Sequence, residues 1–129
     1  MPNLSTHPIH LGLGATAVSQ PEFTGEMAWY MDYATRNAAD GAEGRLVTIH
    51  SFSESWDSWE MHPNGDEFVY LLAGAVELRL ETDAGLAETT LCDSGAVLIP
   101  RGVWHTARVK APSRMLHVTL GAGTQTRPA

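Results

Sequence analysis

The sequence predicts an all-β protein, an antiparallel barrel or sandwich preceded by one short helix. From Arg45 onward, short segments rich in β-branched and aromatic residues follow one another, each bounded by Gly, Pro, Asp or Asn. Apolar and polar residues alternate in several of them, as at Val76, Glu77 and Leu78, which is the pattern of a half-buried strand. Segments at this even spacing are typical of antiparallel barrels. The predicted strands are residues 45–53, 58–62, 67–73, 75–81, 87–92, 96–100, 104–109 and 114–120.

The predicted helix lies in the first 44 residues, after a short candidate strand in residues 9–14. Apolar residues recur there at spacings of three and four, which marks one helical face: Met27, Tyr30, Met31, Ala34 and Ala38. We predict a helix over about residues 26–39. Thr24 is its candidate N-cap, and Gly41 lies where the helix would end. A helix in this position usually covers one sheet, but it could also line the barrel mouth or pack across a dimer.

Length and composition predict one globular domain. The chain has 129 residues, of which 43% are hydrophobic and 18% charged, and this suits a single core. We expect one domain over residues 1–129, with an extension at 1–44, a barrel at 45–120 and a tail at 121–129. The single cysteine, Cys92, excludes an intrachain disulfide and is expected to be a small buried residue.

Charge and hydropathy disfavour two classes of partner. The net charge is -7, and no cluster of basic residues interleaved with aromatic residues is present. Binding to nucleic acid or to an anionic membrane surface is disfavoured, because both need such a cluster. The longest nearly apolar segment, residues 68–76, is too short to span a bilayer. With no secretory signal in the first residues, a cytoplasmic location is expected.

Four acidic and histidine residues lie where they could meet inside a barrel. Glu60 and His62 share one strand face, because side chains two apart on a strand point the same way. Glu67 follows a predicted turn, and His105 follows a second turn formed around Pro100 and Gly102. Two imidazoles and two carboxylates suit a borderline divalent ion such as Mn, Fe, Co, Ni or Zn. The alternative is a surface hairpin with solvated ion pairs.

The same residues carry a resemblance to a known family. Glu60-Met61-His62 is followed by four residues, Glu67, six residues and Gly74, while Pro100, Gly102 and His105 form a second motif. Together the two motifs resemble those of the cupin superfamily, in particular its small single-domain bacterial members. The resemblance implies a double-stranded β-helix, also called a jelly-roll barrel, and often a homodimer.

The resemblance also implies a ligand set. His62, Glu67 and His105 match the family's metal ligands, and Glu60 stands where the family usually has its first histidine. We therefore expect a mononuclear divalent metal, Fe, Mn, Ni or Zn, held by Glu60, His62, Glu67 and His105.

Further residues are candidates for the wall of a pocket. His117 could face inward with Met115 and Thr119, although a hydrogen-bonded core histidine is the simpler interpretation. Trp59 and Trp104 flank the two motifs, as Trp56 does, and could line a pocket for a flat or apolar substrate. They could equally be aromatic strand residues that pack on their neighbours.

These observations favour a small metalloenzyme, an oxygenase, isomerase or hydrolase, acting on a small polar or aromatic molecule. Two alternatives stay open. One is a binding protein or sensor that captures a small ligand without chemistry. The other is a metal-free barrel with acid–base residues, similar to sugar epimerases of the superfamily, in which His62 and Glu67 would act as a pair.

Overall fold

The all-β prediction with a short N-terminal helix is confirmed by the computed structural model, which describes residues 3–92 and 95–129. The elements in chain order are β1 (Ile9–Gly12), β2 (Thr16–Ser19), α1 (Met27–Arg36), β3 (Arg45–Phe52), β4 (Ser58–Met61), β5 (Glu67–Thr82), β6 (Gly85–Leu91), β7 (Ala96–Ile99), β8 (His105–Thr119) and β9 (Gln125–Pro128). Short 3-10 helices lie at Leu13–Ala15 and Ala38–Glu43.

Two long strands, β5 and β8, organise the sheet. The two pair antiparallel along most of their length, and β8 also pairs with β3 and, at His105, with β4. On its other edge, β5 pairs with β7 and then with β6. Because each long strand changes partners along its length, it must bend, and the bent strands close around one interior. This arrangement is the jelly-roll barrel that the sequence predicted.

Each long strand corresponds to two of the predicted strands. Residues 67–73 and 75–81 form a single strand, β5, and residues 104–109 and 114–120 belong to β8. Register shifts between Leu71 and Val76 bend the pair without ending either strand. Gly74 lies inside this bend with φ 96°, a conformation that side-chain-bearing residues rarely adopt.

The barrel core comes from the alternating residues that the sequence identified. Val76 and Leu78 have no exposed surface, and Val69 and Leu71 have 1% each. Met115 of β8 pairs with Leu71 and is also fully buried. Glu67 lies on the same face of β5 as Val69 and Leu71, because successive inward positions are two residues apart. A polar cluster is therefore held against an apolar core by ordinary strand geometry.

The helix is shorter than predicted and lies with a different face inward. It runs over Met27–Arg36, and its N-cap is Glu26 rather than Thr24, whose hydroxyl oxygen only accepts a hydrogen bond from the Glu26 N–H. Met27 and Met31, on the predicted apolar face, are 72% and 64% exposed. Trp29 is buried instead, because its ring packs on Phe23 and its indole N–H bonds the Pro21 carbonyl.

The structure differs from two further sequence expectations, the burial of Cys92 and the character of the tail. Cys92 is exposed, so the prediction of a buried thiol was wrong. The tail, expected to be a polar extension, contributes β9, which pairs with β4 through Trp59↔Arg127 and Glu60↔Thr126. Among the described residues, no helix is both long and apolar enough to cross a membrane.

Candidate metal centre

The structure brings the four predicted residues together at one end of the barrel. Glu60 lies opposite His105 where β4 pairs with β8, so their side chains start from neighbouring positions. Glu67 is the first residue of β5, and His62 follows β4 directly. The turn between His62 and Glu67 reverses the chain, as its Pro and Gly residues predict.

The distances within the cluster are short. The Nε2 atom of His62 lies 3.5 Å from Glu67 Oε2 and 3.8 Å from Glu60 Oε2. The Nε2 atom of His105 lies 3.2 Å from Glu67 Oε1 and 4.0 Å from Glu60 Oε2. One ligand atom each of Glu60, His62 and His105 can be chosen so that all three lie within 4.8 Å of one another. Glu67 contacts both histidines from behind this triad.

Burial differs among the four side chains in a way that gives the cluster an open side. The side chain of His105 is fully buried, Glu67 is 4% exposed and His62 is 7% exposed. The Glu60 side chain is 36% exposed. A small molecule would therefore reach the cluster from the side of Glu60.

Hydrogen bonds fix the protonation of both imidazoles. The Nδ1 atom of His105 lies 3.1 Å from the carbonyl oxygen of Val103, which can only accept, so Nδ1 donates. The Nδ1 atom of His62 lies 2.7 Å from Thr124 Oγ1. That hydroxyl donates its own hydrogen to the Gly121 carbonyl, so it must accept from His62. In the neutral imidazoles, both Nε2 atoms therefore carry lone pairs that face the cluster.

The result is a group of acceptors without donors. Both Nε2 atoms and Glu67 Oε1 are buried, with no hydrogen-bond partner in the part of the chain that the structure describes. Lone pairs at 3.2–3.5 Å repel one another unless a cation lies between them. A proton or a metal ion would supply that positive charge.

The pKa shifts follow from the same geometry. Burial alone would raise the pKa of Glu67, but the imidazoles of His105, His117 and His62, which can donate to the carboxylate when they are protonated, hold it well below its usual range. Burial alone would lower the pKa of His105, but the Glu67 carboxylate raises it above its usual value. Glu67 is therefore an anion at neutral pH although it is buried. Its Oε2 atom also accepts a 2.5 Å hydrogen bond from the Thr119 hydroxyl.

Aromatic rings line the interior next to the cluster. His117 is buried, and its Nδ1 atom lies 3.8 Å from Glu67 Oε2. The Trp56 ring contacts the rings of His105 and His117, at 6.3 Å between centroids in each case. Phe52 packs on both Trp56 and His117. Behind them, burial and the nearby His117 lower the pKa of His50 to about 4, so His50 is neutral at physiological pH.

Helix α1 places Tyr30 near Glu60, on the exposed side of the cluster. Burial and, second, the Glu60 carboxylate raise the pKa of Tyr30. The Tyr30 ring also packs on Phe23, which in turn packs on His50. Of the placements considered for the helix, these contacts favour the one near the barrel mouth.

Two of the three tryptophans near the motifs lie elsewhere. The Arg127 guanidinium stacks on the rings of both Trp59 and Trp104, at 5.2 Å and 4.6 Å from their centroids, and forms an ion pair with Glu81. Trp59 has the opposite strand parity to Glu60, which explains its position on the outer face. Among the described contacts, Trp56 is the tryptophan that meets the histidines.

Sequence reasoning also missed Thr124. It lies between β8 and β9, in a tail that reads as a polar loop, and nothing near it in sequence indicates a contact with His62. Asp66, the neighbour of Glu67 in sequence, is exposed and accepts a hydrogen bond from the backbone N–H of Arg101.

Comparison with known proteins gives structural matches alone. No family model matches the chain, and no curated protein matches it. A cupin-2 domain protein from Shewanella frigidimarina NCIMB 400 is similar, with a TM-score of 0.51 and 17% identity over 58% of this chain and 69% of that one. A cupin superfamily protein from Desulfitobacterium hafniense DCB-2 has a TM-score of 0.51 and 20% identity, over 59% of this chain and 66% of that one.

A third match is a metal-containing enzyme. The structure of Fe(II)-HppE with an alternative substrate has a TM-score of 0.51 and 13% identity to this chain, over 59% of it. The match spans 42% of the HppE chain, so this protein corresponds to less than half of that enzyme. At these identities, the matches establish the fold. The antiparallel barrel and its structural relatives together identify the chain as a protein with the cupin fold.

Proposed function

We propose that this protein is a small-molecule metalloenzyme with one divalent metal ion held by Glu60, His62, Glu67 and His105. One observation carries the proposal. Two imidazoles, each with its Nδ1 hydrogen already donated, present Nε2 lone pairs to two carboxylates inside the barrel. Nitrogen and oxygen ligands of this kind suit Fe, Mn, Ni and Zn. The fold is shared with Fe(II)-HppE, whose name records iron in that protein.

The bound ion would polarise a substrate oxygen or activate water or O₂. The chain's own residues would do the rest. The Val103 carbonyl and Thr124 orient the two histidines, as second partners of metal-bound imidazoles commonly do. Thr119 holds one oxygen of Glu67. Phe52, Trp56 and His117 form an aromatic wall that keeps water away from the reacting molecule. The reaction would be that of an oxygenase, an isomerase or a hydrolase.

Metal analysis tests the proposal directly. The purified protein, after exchange into Fe(II), Mn(II) or Zn(II) and removal of free metal, should retain about one equivalent of ion. His62→Ala and His105→Ala should each lose most of it, because each removes one nitrogen ligand. His7→Ala is the matched control, since His7 bonds Thr6 far from the cluster in sequence and should retain the metal. Wild-type protein that refuses every divalent ion would contradict the assignment.

The metal-free alternative has one observation in its favour. His105, with its raised pKa, lies 3.2 Å from a Glu67 oxygen and forms a closer pair than the predicted His62–Glu67 pair at 3.5 Å. Such a pair could move a proton without a metal. An activity that survives complete chelation, in protein shown to be metal-free, would favour this alternative. Homodimerisation and a cytoplasmic location stay predictions.

A further inference from the structure

The aromatic wall beside the cluster has two buried polar atoms without partners. The indole Nε1 of Trp56 and Nε2 of His117 are both buried and find no hydrogen-bond partner among the described residues. His117 as a whole is 7% exposed, so its free atom is not solvated at the surface. Leaving such groups unpaired costs stability, and a bound molecule that pairs with them would recover it.

The two atoms have opposite roles. Indole Nε1 carries a hydrogen and can only donate. The Nδ1 atom of His117 lies 3.8 Å from Glu67 Oε2, and a hydrogen on Nδ1 is favoured because a lone pair there would repel the carboxylate. Neutral His117 with its hydrogen on Nδ1 has an acceptor at Nε2. The wall therefore carries one unpaired donor and one unpaired acceptor.

The rings that carry these atoms define a shape. Trp56 and His117 lie at 30° to one another, and Phe52 packs against both of them. Flat aromatic surfaces of this kind bind planar molecules by stacking and edge contacts. The His105 ring adjoins Trp56, so a ligand on this wall lies next to the cluster.

Charge decides which planar molecules fit. Two carboxylates cancel the charge of a divalent ion, and without the ion they make the site negative. Among the described residues, no hydrogen bond or ion pair joins a Lys or Arg to the cluster: six arginines bond elsewhere, and Arg108 and Lys110 occupy exposed positions of β8. The six bonded ones are Arg36, Arg45, Arg79, Arg101, Arg114 and Arg127. Without the ion, an anionic ligand would therefore be poorly stabilised.

We propose that the site binds an uncharged aromatic molecule bearing a hydroxyl or carboxamide group, with the Trp56 indole N–H donating to it and His117 Nε2 accepting from it. The inference deepens the proposed function, since it names the substrate class of that metalloenzyme. The charge argument applies to the metal-free protein, where the carboxylates disfavour anions, because a bound divalent ion could coordinate an anion directly.

The test compares two probes of nearly equal shape, neutral benzamide and anionic benzoate. Binding is measured by ligand-observed NMR titration at pH 7.5 on the chelator-treated protein, in which benzoate cannot coordinate a metal ion. We expect benzamide to bind at least about 10-fold more tightly than benzoate, because an unpaired buried charge is costly. Benzoate binding as tightly as benzamide would overturn the inference.

Two variants test the residue assignment. Trp56→Phe retains a ring but removes the N–H, and should weaken benzamide binding by about 3- to 10-fold, the effect of one lost hydrogen bond. Trp104→Phe is the matched control, since Trp104 stacks on Arg127 outside the wall, and it should bind benzamide as the wild type does. Equal weakening in both variants would count against the assignment.

The outcomes separate this inference from the metal proposal. If the protein binds no metal but still selects benzamide, the ligand class stands and the metalloenzyme falls. If it binds metal but its metal-free form binds benzoate at least as tightly as benzamide, the metalloenzyme proposal stands and the ligand class falls. The wild-type ratio of the two probes decides the ligand class even if a variant fails to fold.

Discussion

At the scale of single residues, substitution of Thr124 tests how the orientation of His62 affects metal affinity. Its hydroxyl accepts from His62 Nδ1 at 2.7 Å while it donates to Gly121. Thr124→Val keeps the shape but removes the acceptor, so a hydrogen on His62 Nε2 would compete with the metal. We expect metal affinity to fall by about 10- to 100-fold, as when other second partners of metal-bound histidines are removed. Competition with a chromophoric chelator measures the change.

The conservative variant separates orientation from packing. Thr124→Ser keeps the hydroxyl and should bind metal within about threefold of the wild type, less than the loss of one hydrogen bond. A Ser variant as weak as the Val variant would show that the methyl group, and not the hydrogen bond, matters. Unchanged affinity in Thr124→Val would remove this residue from the site.

The sequence predicted the site residues whose positions follow from neighbouring residues along the chain. It did not predict those that strand pairing brings to the site from far away in sequence. Glu60, His62 and Glu67 were identified because strand parity and one turn determine where they point. His105 came from a second local motif. Thr124 reaches His62 only because β9 pairs with β4, 62 residues away in sequence. Trp56 was named with two other tryptophans, and only its packing on His105 and His117 distinguishes it.

At the scale of elements, the bend in β5 depends on Gly74. Its φ is 96°, and an added Cβ would lie 2.5 Å from the Pro112 carbonyl oxygen and even closer to Ser113 Oγ. Ser113 is itself fixed, since it is buried and accepts from the Ala75 N–H. Gly74→Ala therefore combines backbone strain with a clash that neither strand can easily relieve.

Gly85 provides a control for the strain alone. Its φ is 107°, but nothing lies within 4 Å of an added Cβ. We expect Gly85→Ala to lower the free energy of unfolding by about 1–3 kcal/mol. Gly74→Ala should cost about 1–3 kcal/mol more, the range for overpacking. Urea titration of both variants gives the difference, and equal values would mean that the Ser113 contact relaxes freely.

Element prediction succeeded for the strands of residues 45–120 and failed for β2, for β9, for continuity and for the helix face. Every predicted strand is present, but a bend with bulges resembles a turn in sequence, so β5 and β8 were each divided in two. On α1, the periodic residues form an exposed face, since the buried area comes from one large ring, Trp29. Helical periodicity shows that one face is apolar, whereas the neighbours decide which face is covered.

At the scale of the whole molecule, the fold determines how stability depends on pH. His50 is partly buried, and its burial and the nearby His117 lower its pKa to about 4, against 6.5 in the unfolded chain. Between these values the unfolded chain binds the proton and the folded chain does not. Stability is therefore fully present above pH 6.5 and decreases as pH falls toward 4.

The other shifted groups act mainly outside this window. The raised pKa of His105 favours the folded state below pH 6.5 and loses that contribution at higher pH, whereas the lowered pKa of Glu67 matters below its usual value of 4.5. Between about pH 4.5 and 6.5, the slope of stability for metal-free protein should therefore report mostly on His50.

Replacing His50 by glutamine tests this argument. Glutamine does not titrate, so His50→Gln should flatten the slope of unfolding free energy against pH in that window. We expect the wild-type protein, treated with chelator, to lose about 2 kcal/mol on going from pH 6.5 to 4.5, and the variant to lose much less. Urea titrations at intervals of half a pH unit measure both slopes. If the two proteins lose stability in parallel, the acid sensitivity arises from other groups, and His50 is accommodated in its charged form by rearrangement of the aromatic wall.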